Sequence, residues 1–176
     1  FMLGRVEAGA EVAWVTRHDL RVHQFDSDPG WLGPKFLTGF AAERDLGKRR
    51  RAIAEARHRG SMPADVYRAA MRAVADRQVV HHQAEVVGLA EGRPAMLELA
   101  NGATLDADHV VLATGAERTR PGGAMVDGLV RSHALPCAAC GFPVIDRLLR
   151  WHPRVVAVGG LAELELGPAA RNIAGA

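Results

Sequence analysis

Three places in this sequence hold residue types that could handle a nucleotide. The first is Trp14-Val15-Thr16-Arg17-His18, a β-branched and aromatic run that ends in polar residues. Where a strand ends beside an adenosine ribose, an acid selects the 2′-hydroxyl, whereas an arginine accommodates a 2′-phosphate with its forked donors. No acid stands here, so Thr16, Arg17 and His18 are candidates for a 2′-phosphate contact. The second place is Val110-Val111-Leu112-Ala113-Thr114-Gly115, an apolar run whose small end (Ala113, Thr114, Gly115) would let backbone approach a ligand closely. The third is Val155–Val158 followed by Gly159 and Gly160, with Leu166, Gly167 and Pro168 opening the next element. Strand, glycine pair and helix start together offer backbone N–H groups to an electron-rich atom. Each has a plain structural alternative: an exposed loop charge, a tight turn, and a strand-to-helix crossover.

Other reactive residue types fit a site less well. Cys137 and Cys140 make a C-x-x-C pair, but it lies between Pro136 and Gly141 rather than at a helix start, so two small loop hydrophobes are expected. Adding His133 and His152 would complete a four-ligand zinc set only at irregular spacing, and no metal is expected. His81 and His82 are neighbours in a strand and point to opposite faces. Trp31, in a Pro- and Gly-flanked loop, reads as a hydrophobic anchor. The acids share no element, so no catalytic residue is named.

The elements that would position these residues follow from periodicity. Phe1–Ala8 reads as helix, Gly9 as its left-handed stop, and Glu11–Arg17 as a short buried strand, the tail of a βαβ unit. Asp26–Pro34 is turn chemistry. Arg44–Arg59 reads as a basic helix whose charges (Lys48, Arg49, Arg50, Arg51, Arg57, His58, Arg59) make a solvated face. A further helix starts at Ser61-Met62-Pro63, with Val66, Tyr67, Ala70, Met71 and Val74 as its apolar stripe. The period then falls to two: Val79–Leu89, a turn at Glu91–Pro94, Ala95–Leu99, the Asn101-Gly102 hairpin, and a return from Thr104. His109–Gly115 reads as a buried parallel strand and Asp146–Trp151 as one helical turn or a loop. Arg154–Val158 reads as a last buried strand before a helix from Gly167.

Composition bounds the function. Of 176 residues 48% are hydrophobic, enough for a packed core, and a formal charge of +2 is too small for a nucleic-acid surface. Two cysteines make no disulfide framework and suit a reducing, cytoplasmic setting. No apolar run could cross a bilayer, so no membrane association is expected.

In order and spacing, Glu7–Arg17, Asp28–Lys35, His109–Gly115 and Leu161–Ala176 resemble the flavin-dependent monooxygenases with two dinucleotide-binding domains, the group of the lysine and ornithine N-hydroxylases. The resemblance implies an α/β, Rossmann-like fold with a parallel sheet and a small antiparallel β-meander. It implies an NAD(P)H-binding domain over 1–115, carrying a helical insertion at about 36–77, and the C-terminal part of an FAD-binding domain over 116–176. FAD and NADPH would be the cofactors and a small molecule, such as an amine, the substrate. Arg17, with Thr16 and His18, would hold the 2′-phosphate; Gly159, Gly160 and the start at Leu166-Gly167 would face the flavin. Neither G-x-G-x-x-G loop is present, which predicts a chain cut just after its phosphate loop. Two other classes stay open: a pyridine-nucleotide reductase using Cys137 and Cys140, and a non-catalytic nucleotide-binding module.

Overall fold

A computed structural model describes residues 2–92, 94–115 and 119–171. The chain divides into two compact units, Phe1–Gln24 with Arg59–Gly115, and Phe25–His58 with Ala116–Ala176. The stretch expected as a helical insertion is therefore shared, 36–58 lying in the second unit and 59–77 in the first.

In the first unit, helix α1 (Met2–Glu7) stops at Gly9, whose φ of +79° is the left-handed conformation expected there. Strand β1 (Val12–Thr16) follows at once. Strand β2 (Arg21–Val22) is the last element before the chain enters the second unit, where helices α2 (Pro34–Ala42) and α3 (Leu46–Glu55) form. Strand β3 (Ser61–Met62) pairs parallel with β2 as the chain returns, and helix α4 (Ala64–Ala75) begins directly after Pro63. Asp65 lies in the first turn of α4 and Arg72 in the last, both favourable to the dipole. Strand β4 (Val79–Gln83) pairs parallel with β1, Val12 opposite Val79 and Thr16 opposite Gln83. Helix α1 packs on β1 and α4 packs on β4, with Ala70, Ala73 and Val79 buried.

The expected single strand over Val79–Leu89 is two strands. At Ala84 the backbone N–H still bonds the Thr16 carbonyl, after which strand β5 (Val86–Ala90) turns to pair antiparallel with β6 (Ala95–Leu99). Strand β7 (Thr104–Ala107) completes the three-stranded meander read from the alternation, with Leu97 and Leu99 buried. Its turn follows the sequence: Gly102 has φ +85°, and the Asn101 side chain accepts from the Ala103 N–H at 3.1 Å. Arg93, in the other turn, lies outside the described residues.

The reading of His109–Gly115 as a buried strand is corrected. The segment has no regular secondary structure, and Leu112 is 80% exposed. No strand among the described residues pairs with it, and an apolar run with no ladder neighbour and no covering layer remains at the surface.

Among the described residues of the second unit, apolar side chains gather in two cores. One gathers Phe40, Ile53, Phe142 and Leu164, with Trp31 packed on it, so the tryptophan is the anchor expected. The other gathers Val126, Leu135 and Trp151. Val126 comes from helix α5 (Gly123–His133), which the sequence reading missed because glycines at 122, 123 and 128 break its pattern. Arg154–Val158 is not a buried strand. Strand β8 (Arg150–His152) turns at Pro153-Arg154 and strand β9 (Val155–Val156) returns antiparallel, leaving Val156 and Val158 exposed while Ala157 is buried. After Gly159–Ala162, a short 3₁₀ turn, comes helix α6 (Glu163–Leu166). The helix expected from Gly167 is a 3₁₀ turn over Pro168–Arg171, three of whose residues are buried. Phe1 and Asn172–Ala176, read as helix from the sequence, lie outside the described residues.

The basic helix also needs correcting. Asp45 caps α3 by accepting the Lys48 N–H at 3.0 Å. Beyond it Arg49 is buried rather than solvated. Its guanidinium donates to the carbonyls of Glu43 (2.7 Å), Ala41 (3.1 Å) and Leu164 (2.9 Å) and to the Glu165 carboxylate (2.7 Å). Arg50 pairs with Glu163, which is fully buried and also receives Arg171, while Arg50 and Arg171 lie at 4.4 and 5.8 Å from the Phe142 ring centre. Arg57 donates to the Pro168 carbonyl at 2.9 Å. Arg49 and Arg50 thus fasten α3 to α6, and Arg57 holds the turn after it.

Candidate functional site

The end of β1 brings together a small polar group in the first unit. Because β1 and β4 run parallel and in register, Trp14 lies opposite His81 and Thr16 opposite Gln83. The Thr16 hydroxyl and His81 Nε2 are 2.8 Å apart and share a hydrogen bond. The Trp14 and His81 rings stack at 4.6 Å between centres. Burial, and then the neighbouring His82, hold the His81 pKa below its ordinary value. Gln83 donates to Asp19 at 2.9 Å, closing the strand end on its other side.

Arg17 stands just beyond this group. Its Nε donates to His18 Nε2 at 3.2 Å, and the acid paired with it among the described residues is Glu85, at a loose 3.9 Å. The side chain is 64% exposed, so its charge is committed to neither neighbour. A phosphate could displace the Glu85 contact and take two parallel hydrogen bonds from the guanidinium. The residues present therefore fit a 2′-phosphate. Glu85, from the loop between β4 and β5, is the acid that the sequence reading missed; its position beside Arg17 follows from the β1–β4 register, which no local pattern announces.

Ala113, Thr114 and Gly115 belong to the same unit and are exposed. Gly115 has φ +75°, a conformation that glycine adopts freely.

Gly159, Gly160, Leu166 and Gly167 belong to the second unit. Gly159 has φ +58°, and among the described residues only the Ala170 carbonyl, at 3.9 Å, would meet a side chain there. Backbone at Gly159 can thus be approached closely, which fits a ligand that lies flat against it. Beside Gly160 stand Pro121 and Arg171. Gly167 is different: it is buried, and a Cβ would face Leu37 at 3.2 Å and Phe40 and Trp31 at 3.7 Å. Leu166 is half-buried at the end of α6.

The C-x-x-C pair forms a turn closed by the Gly141 N–H to the Ala138 carbonyl at 2.8 Å. Both thiols are free; Cys137 is half-buried with Arg120 3.7 Å from its sulfur, and Cys140 is exposed. No cluster of three His, Cys, Asp or Glu able to hold a metal occurs among the described residues. Nor, among these residues, is any helix long and apolar enough to cross a membrane.

A family profile described as FAD-NAD(P)-binding matches residues 21–117, more than half of the chain. The match includes Ala113–Gly115, with Arg17 just before it and Gly159 well after it. No curated protein matches the chain.

Proposed function

This chain belongs to the FAD-NAD(P)-binding family, and on that footing we propose that it is part of an FAD- and NADPH-dependent monooxygenase acting on a small amine. FAD and NAD(P) are the family's cofactors, and an oxidoreductase role for the parent protein follows from them. The choice of NADPH rests on one observation. The residue just beyond the β1–β4 parallel pair, where an acid would claim a ribose 2′-hydroxyl, is an exposed, weakly committed arginine, and the acids near it, Glu85 and Asp19, face Arg17 and Gln83.

In this reading Arg17 grips the 2′-phosphate, and Thr16, fixed by His81, sets the end of the strand from which Arg17 projects. Residues 1–115 then serve NADPH and 116–176 serve FAD, with Gly159 leaving backbone open to the flavin and Gly160 beside it. Bound flavin supplies hydride acceptance and oxygen activation, and the protein's part is to orient both cofactors and keep water out. No described side chain is assigned as an acid or base.

The test is NADPH oxidation by the FAD-loaded protein with a panel of primary amines. Hydroxylated amine formed in step with NADPH consumed supports the monooxygenase. Consumption that yields only hydrogen peroxide, whatever the amine, removes it. Arg17→Ala should raise the KM for NADPH about tenfold or more while leaving that for NADH nearly unchanged; equal effects on both would take Arg17 out of the site. A second reading, a reductase passing electrons through Cys137 and Cys140, draws on the Arg120 contact to the Cys137 sulfur. In that case Cys137→Ser abolishes turnover, whereas the monooxygenase tolerates it.

A further inference from the structure

We propose that the second unit carries a binding site for a small aliphatic carboxylate, in the cavity between α5 and the β8–β9 hairpin. The cavity is open to solvent on one side and offers about 340 Å³, near the small end of ligand pockets, which run from roughly 300 Å³ upward. Its floor is apolar: Leu129 from α5, Leu135 just beyond it and Val155 from β9. All three belong to the cluster built on Val126, Leu135 and Trp151, so the floor is the exposed side of a packed core and holds its shape.

The rim has the opposite character. His133, His152 and Arg154 complete the lining, and no carboxylate joins them. The acids nearest in sequence on these elements are already engaged, Asp127 by Arg120 and Asp146 by Arg150. The Arg154 guanidinium makes no hydrogen bond or ion pair with any described residue. The Arg154 backbone N–H donates to His152 Nδ1 at 3.3 Å, which makes Nε2 the protonated nitrogen of the neutral ring and thus a donor. The His133 ring stands 6.3 Å from the His152 ring, centre to centre. The carbonyl end of the α5 dipole would disfavour an anion, but the last turn carries Arg131 and His133 against it.

An apolar floor under a rim of one fixed positive charge and imidazole donors selects a molecule with both a hydrocarbon tail and an anionic head. An inorganic anion leaves the floor wet; an alcohol or amide leaves the guanidinium without its ion pair. The ligand class is therefore a monocarboxylate with a short chain. Because no nucleotide takes part, this site stands or falls apart from the proposed reaction.

The experiment titrates the full chain, with no cofactor added, with hexanoate, hexanamide and acetate, following the ring signals of His133 and His152 by NMR. Hexanoate should shift both saturably, and hexanamide and acetate should bind about tenfold more weakly or worse. Arg154→Ala should weaken hexanoate by a similar factor while leaving the Trp151 indole signal in place. Absence of a saturable shift would overturn the site. So would equal affinity for hexanamide, or hexanoate binding unchanged in Arg154→Ala.

Discussion

Thr16 and His81 are 65 positions apart in the chain and meet at 2.8 Å because two parallel strands hold them in register. Burial depresses the His81 pKa below 6.5, so just under that pH the folded chain binds fewer protons than the unfolded one. Stability contributed by the neutral imidazole is complete above 6.5 and is lost as the pH falls from there through the folded value. Urea unfolding at about pH 7.5 and about pH 5.5, on either side of an ordinary histidine pKa, should show a larger drop in midpoint for the native chain than for His81→Gln. Equal drops would place the acid sensitivity elsewhere. Arg17 and Arg49 show how far one residue type can diverge. Both follow a polar neighbour, yet Arg17 is exposed with one loose acid beside it among the described residues, whereas Arg49 gives four hydrogen bonds inside a core. Local sequence contains nothing that separates them, because the difference lies in carbonyls supplied from residues 41, 43 and 164.

At the scale of elements, the hairpin, the caps and β1 were legible, whereas His109–Gly115 and Arg154–Val158 were not the buried strands expected. Asn101-Gly102, Gly9 and Pro63 behave as their backbone chemistry requires, since a turn or cap depends on two to four neighbouring residues. A buried strand depends on partners elsewhere, and His109–Gly115 has none among the described residues. Gly167 is the element-scale position with the sharpest consequence. Its φ of +85° and ψ of −174° belong to a region that only glycine occupies comfortably, and its missing Cβ makes room for Leu37, Phe40 and Trp31. Gly167→Ala should cost about 1–3 kcal/mol, read as a lower melting temperature without any cofactor present. An unchanged melting temperature with weakened FAD binding would instead make Gly167 a ligand contact.

For the whole molecule, the informative network is the one around Arg49, Arg50, Glu163 and Arg171. It joins a helix in the 46–55 stretch to turns more than a hundred residues later, and Glu163 at its centre is fully buried. Removing one member of a buried ion-paired group leaves the others without compensation, at a cost of about 3–5 kcal/mol in a closed interior. Glu163→Gln should therefore cost somewhat less, about 2–4 kcal/mol, because Arg50 and Arg171 keep some access to water. Amide exchange should quicken together in α3 and over Gly159–Arg171, while the β5–β7 meander keeps its protection. Faster exchange confined to α6 would show that the network does not bind these elements into one cooperative piece.

The sequence by itself determined a mixed α/β chain with a three-stranded meander, its turns and caps, and a likeness to flavin- and nicotinamide-binding proteins that the family match supports at the level of FAD and NAD(P). These were legible because periodicity, glycine conformation and turn chemistry are encoded within a few consecutive residues. Only the tertiary structure decided that Glu85 stands beside Arg17, that His81 holds Thr16, and that Arg49 in a basic helix belongs to the interior of a unit rather than its surface. Each of these depends on which distant backbone and side chains arrive within hydrogen-bonding reach, and a charged residue keeps the same letter whether water or a buried carbonyl answers it.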